Sequence, residues 1–96
     1  MTETQPLGPV GQQLQDRLAV AFAPLDLRVE DQSHRHRGHA GWRPEGETHF
    51  HVSLTSAAFA GASRVERQRQ VHHVLAHELA DRVHALSLDL RAPDEA

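Results

Sequence analysis

Nine histidines stand in a chain of 96 residues that has three phenylalanines, one tryptophan and no cysteine. Their spacing sorts them into four groups. His34, His36 and His39 share a segment rich in glycine, proline and charge; His49 and His51 alternate with Phe50 and Val52; His72, His73 and His77 crowd a helix-like run; His84 stands alone before three alternating leucines. Imidazole nitrogen suits zinc, copper, nickel and iron, so a pair or trio of these rings, once gathered, makes an open metal site. With no thiol, the chain forms no disulfide and offers no cysteine nucleophile, and any iron–sulfur chemistry must take its sulfur from another molecule.

A second chemistry is spelled by Arg64, Arg67 and Arg69, which follow Ser63. Ser63 and Glu66 have the spacing of a capping box, in which each side chain serves the other's amide and fixes a helix start. Arginines beside the free amides of a helix N-terminus make a phosphate site. Against it, Glu66 intervenes, no aromatic residue is placed for base stacking, and a net charge of -3 gives no general attraction for nucleic acid. A solvated helix face is the plain alternative. No glycine-rich phosphate loop, carboxylate pair or Ser-His-Asp layout stands out, so an enzyme is not expected.

The elements that must position these groups follow from periodicity. Val65, Val71, Val74, Leu75, Leu79 and Val83 give one long helix an apolar stripe, with Glu78 and Arg82 as a surface pair at i,i+4. From Leu86 the period becomes two, which is a half-buried strand. Upstream, Val10, Leu14, Leu18, Ala21 and Phe22 define a helix opened by Pro9 and stopped by Pro24. Leu25, Leu27 and Val29 mark a first strand, and Thr48 to Thr55 a second, in which His49 and His51 oppose Phe50 and so face away from the helices or lie near the sheet's edge. Ser56 caps a single turn ending at Gly61. Residues 1–8 are expected to be a flexible lead-in, 9–92 a single domain and 93–96 a flexible tail. No apolar run is long enough to cross a membrane and the first ten residues lack a secretory pattern, so the expected address is cytoplasmic.

Three strands with one apolar face each, covered by amphipathic helices, form a two-layer α+β sandwich, in the order helix-strand-strand-helix-helix-strand around a three-stranded mixed sheet. The third strand is expected beside the second and parallel to it, because the connection runs through the long helix as a crossover. The first strand then runs toward the segment from Ser33 to Glu47, and both others start from it. His84, just before the third strand, is thereby drawn to the same end as His34, His36 and His39. An inert His84 bonded to the last helix carbonyls is the alternative. His49 with His51, and His73 with His77, are read as surface residues rather than ligands.

Taken together, Phe22-x-Pro24, Glu30-Asp31-Gln32-Ser33, the histidine-bearing segment, Glu47-Thr48-His49-Phe50, Phe59-x-Gly61-x-Ser63 and Val83-His84-Ala85-Leu86 resemble the BolA family, over Val10 to Glu95. The resemblance implies a fold similar to type II K-homology domains. It also implies partnership with a monothiol glutaredoxin, the two proteins sharing a bridging two-iron, two-sulfur cluster with glutathione. The family's ligands correspond to His84 and to a loop histidine, His36, with His39 and then His34 as substitutes. Members have also been given transcriptional roles, which makes DNA binding through Arg64, Arg67 and Arg69 the alternative. Two features depart from the pattern. The family's Arg-His-Arg is here Arg67-Gln68-Arg69, and its common Glu-Trp near the end is Glu95-Ala96; separately, Gly61-Ala62-Ser63-Arg64 lacks the second glycine with which K-homology domains cradle nucleic acid. The free protein is expected to be a monomer, with a homodimer as the alternative.

Overall fold

The computed structural model describes residues 7–33 and 47–95. The first helix, α1 (Pro9–Phe22), has Pro9 in its first turn, where a missing amide costs nothing, and ends at Ala23 in the left-handed region at φ 43°. Leu14, Leu18 and Phe22 recur every fourth residue and are buried. Gly11 lies where α1 meets the sheet: a Cβ there would stand 2.8 Å from Leu7 Cδ2 and 3.1 Å from Phe50 Cε1, so a larger residue would require the Leu7 side chain and the Phe50 ring to shift.

Three strands follow: β1 (Asp26–Asp31), β2 (His49–Thr55) and β3 (Ala85–Arg91). β2 is central, antiparallel to β1 with Val29 opposite Val52, and parallel to β3 with Val52 opposite Leu88. The crossover from β2 to β3 passes through a 3-10 turn at Ala57–Phe59, α2 (Arg64–Val74) and α3 (Ala76–Asp81). The core lies between sheet and helices. Phe50, Val52 and Leu54 from the central strand meet Leu14, Leu18, Val71 and Leu75, and the rings of Phe22 and Phe59 pack 5.1 Å apart. No helix among the described residues is long and apolar enough to cross a membrane.

The capping box forms as its spacing predicts. Ser63 Oγ accepts from the Glu66 amide at 3.1 Å and Glu66 returns the bond to the Ser63 amide at 3.1 Å, which lowers the Glu66 carboxyl below its ordinary range. Four local expectations need correction. The single long helix is divided at Leu75, whose backbone (φ -99°, ψ 16°) leaves the helical region while its amide still donates to Val71 O at 3.0 Å. The division falls where the chain changes neighbours: Val71 and Leu75 enter the core, and Glu78 one turn later meets α1. Val65 is exposed, because at about 100° per residue it lies well off the face set by Val71 and Leu75. Leu25 stands outside β1 with its side chain in solvent, although its amide still pairs with Thr55 O. Glu78, expected on the surface with Arg82, is buried; its carboxylate accepts from Arg17 Nε at 2.7 Å and Gln13 Nε2 at 2.5 Å.

Candidate functional site

At the end of the sheet where β1 stops and β2 and β3 begin, four short stretches are tied together by polar contacts. Asp31 Oδ1 accepts from both the amide and the hydroxyl of Ser33, at 2.9 and 2.6 Å, while Asp31 Oδ2 accepts from the Glu47 amide at 3.2 Å. The buried Ser33 hydroxyl oxygen in turn accepts from the amides of Thr48, at 2.9 Å, and His49, at 3.2 Å. An aspartate closing a turn on its own backbone two residues on is common loop chemistry. Here the clasp also joins the two ends of the segment 34–46, so that Ser33 and Glu47 are held side by side.

Thr48 links this clasp to His84. Its carbonyl accepts from the amides of His84, at 2.7 Å, and Ala85, at 3.1 Å, which fixes the backbone of His84 at the mouth of the parallel pair β2–β3. The His84 side chain is exposed. His34, His36 and His39 lie outside the described residues, as does Trp42. Ser33 and Glu47, between which those histidines occur in sequence, are at the end of the sheet that carries His84.

One imidazole beside His84 was not expected. His49, on the central strand and opposite in parity to Phe50, is only 6% exposed, and its ring centre lies 5.4 Å from that of His84 with the planes tilted by 53°. Its Nδ1 is 2.8 Å from Thr48 Oγ1. The alternation of β2 makes His49 read as a surface residue; the structure instead buries it beside the His84 ring. The missing signal is register: β2 begins at His49 opposite Ala85, so the residue just before Ala85 must lie beside it. His51 is bound within the sheet's open face, with Nδ1 2.8 Å from Ser87 Oγ. His72, His73 and His77 are exposed on the helices. Among the described residues no group of three or more histidine, aspartate or glutamate side chains could hold a metal ion.

The arginines at the start of α2 have unlike surroundings. Arg64 and Arg69 are exposed. Arg67, 11% exposed in its side chain, donates from Nη1 and Nη2 to the two carboxylate oxygens of Glu95 at 2.5 and 2.8 Å, and from Nε to Ala62 O at 3.0 Å. Pro93–Glu95, expected as a free tail, forms a 3-10 turn that brings Glu95 there. The Arg67 fork, with help from the Ala92 amide, holds the Glu95 carboxyl down to about 2, and the same bonds raise Arg67 above its ordinary value. The groove beside this pair, about 390 Å³, is lined by Arg64, Arg67 and Arg91 together with Asp89 and Glu95, a mixed rather than a uniformly basic surface.

Comparison with known proteins agrees with this architecture. The family model for BolA-like protein matches residues 18–95. The chain is 40% identical over 85 residues to Protein BOLA1, chloroplastic, of Arabidopsis thaliana, covering 86% of this chain and 53% of that one. To human BolA-like protein 1 it is 40% identical over 87 residues, 91% of this chain and 61% of the relative. It spans only a quarter of SufE-like protein 1, chloroplastic/mitochondrial, of Arabidopsis thaliana, which it matches at 40% identity over 93% of its own length. The BolA domain of SufE1 from the same plant superposes with a TM-score of 0.86 at 38% identity, covering 95% of this chain and all of that domain. The crossover and the helical layer thus belong to a known architecture, and the chain is a member of the BolA family, with a K-homology-like fold.

Proposed function

We propose that the chain is an adaptor in iron–sulfur cluster assembly, trafficking or iron regulation, and that it lends imidazole nitrogens to a two-iron, two-sulfur cluster otherwise held by a monothiol glutaredoxin cysteine and glutathione. His84 is one ligand, and His36 the second, with His39 or His34 in its place. The observation that carries the reading is the exposed His84 ring on a backbone pinned to Thr48, at the same end of the sheet as both flanks of the segment 34–46. The donor set fits such a group. A chain without cysteine cannot complete an iron shell, but two imidazoles on one iron are compatible with a cluster whose other iron keeps sulfur ligands.

Mixing the chain with a monothiol glutaredoxin, glutathione, iron and sulfide should give a heterodimer that absorbs in the visible. His84→Ala should change that spectrum or abolish it. A heterodimer with an identical spectrum would remove His84 from the ligand set.

A further inference from the structure

Among the described residues β1 and β3 are the two edges of the sheet, and they are unlike. β1 carries Asp26, Arg28, Glu30 and Asp31, charges that discourage a further strand from pairing there, whereas β3 carries none from Ala85 to Leu88. We infer that the outer edge of β3 pairs antiparallel with β3 of a second copy of the chain, in a register centred on Leu88, so that one sheet runs through both copies. The inference does not depend on the cluster ligands proposed above.

Hydrogen-bond direction shows which residues the edge offers. Along a strand the amide and carbonyl of one residue point to one side, and those of the next residue to the other. The Ala85 amide donates to Thr48 O and the Arg91 carbonyl accepts from the Ser56 amide, so Ala85, Ser87, Asp89 and Arg91 serve β2. Leu86, Leu88 and Leu90 therefore turn their backbone groups outward, and Arg67 Nη1, donating to Leu90 O at 3.3 Å, marks that outer side. Pairing about Leu88 uses the whole strand. Leu88 then exchanges both backbone bonds with its own copy and Leu86 exchanges both with Leu90 of the other, and these half-buried side chains cover one another. A register centred on Asp89 would set two like charges face to face, and one centred on Ser87 would leave Leu90 opposite His84.

Charge selects the same register. On the open face Ser87 meets Asp89 of the other copy and Ala85 meets Arg91, so the charged half of each strand, where Asp89 and Arg91 pair at 3.1 Å, faces the neutral half of its mate. The groove lined by Arg64, Arg67 and Gln68 runs beside Leu88 to Arg91 and leaves room for that neutral half. Arg67 keeps its bonds to Ala62 and Glu95, because Leu90 O has a second lone pair for the incoming amide. A two-fold axis at Leu88 also sets the two His84 residues roughly 26 Å apart along the strands, one at each end, so both stay open to a partner. A single strand edge buries less than the about 1,200 Å² of a stable interface, so the dimer is a weak one, with a dissociation constant on the order of 100 μM.

Amide hydrogen exchange on the unaltered chain tests this, at concentrations well above and well below that constant. The Leu86 and Leu88 amides should exchange severalfold more slowly in the concentrated sample, where sedimentation should give a dimer's mass, while Ser87 and Asp89, bonded to β2, stay protected in both. Single cysteines report the register, since the chain has none of its own. Residue 87 and residue 89 of the other copy would form a non-hydrogen-bonded pair with Cα atoms about 4.5 Å apart, within disulfide reach. A mixture of Ser87→Cys and Asp89→Cys chains should therefore oxidise mainly to the mixed disulfide, and both substitutions lie on the open face, off the core. Unchanged exchange at Leu86 and Leu88, a monomer's mass at every concentration, or disulfides formed mainly between identical chains overturns the inference. Slowing at those amides that appears only when glutaredoxin is added assigns the edge to that partner and overturns it too. None of these outcomes bears on the coloured complex or its dependence on His84, so the adaptor reading stands or falls separately.

Discussion

Glu78 has the most demanding environment of any carboxylate among the described residues: it is 4% exposed, one oxygen is bound by Arg17 and Gln13, and the other has no hydrogen-bond partner. A buried charge is tolerated only while its partner remains, so the two ends of this pair are not equivalent. Arg17→Met should destabilise the fold by about 2–3 kcal/mol because it strands the carboxylate, although Arg17 is itself partly exposed. Glu78→Gln should cost only about 1 kcal/mol, since a neutral amide still bonds Gln13 and leaves a cation that can turn to water. Urea unfolding of both variants checks the order, and equal costs would contradict it. The i,i+4 spacing of Glu78 and Arg82 suggests a wet surface pair, and nothing in that spacing encodes α1 as the neighbour of this helix face. The same limit explains His49. Residue type and parity are legible one position at a time, whereas the ring it touches stands just before a strand whose first residue, Ala85, pairs with His49 from 36 positions away.

Among the elements, those whose signals are local are legible. The capping box at Ser63, Pro9 at the first turn of α1 and the alternation of β2 each determine their structure within a few residues. The bend at Leu75 is not legible, for no proline or glycine marks it. The closing turn Pro93–Glu95 also depends on a distant group, the Arg67 fork, and this dependence is open to a pH test. The carboxyl of Glu95 falls from an ordinary 4.5 to about 2 on folding, so its contribution is complete above pH 4.5 and is lost as the pH falls toward 2. Thermal midpoints of wild type and Glu95→Gln should therefore differ by a constant amount above pH 4.5 and converge between 4.5 and 2. A gap that persists unchanged to pH 2 would mean that the fork does not depend on the charge. The pair also bears on nucleic acid, because a phosphate approaching Arg67 must first displace Glu95.

For the molecule as a whole, topology was readable because few arrangements satisfy three half-buried strands and one helical crossover. That crossover makes β3 parallel to β2, and parallel strands start at the same end; hence His84 and the flanks of the segment 34–46 meet. The choice among His34, His36 and His39 is not readable, since that segment has no periodicity to fix where each ring points. The central claim is that imidazoles remote in sequence are gathered at this one end to complete another molecule's metal shell. Its most direct test is proton–nitrogen NMR of the histidine rings while the cluster-loaded glutaredoxin is added. The account predicts that His84 and one ring among His34, His36 and His39 shift or broaden at one equivalent, while His72, His73 and His77 on the helices stay unchanged. Signals that move on the helices while His84 and the three loop rings hold still would contradict it.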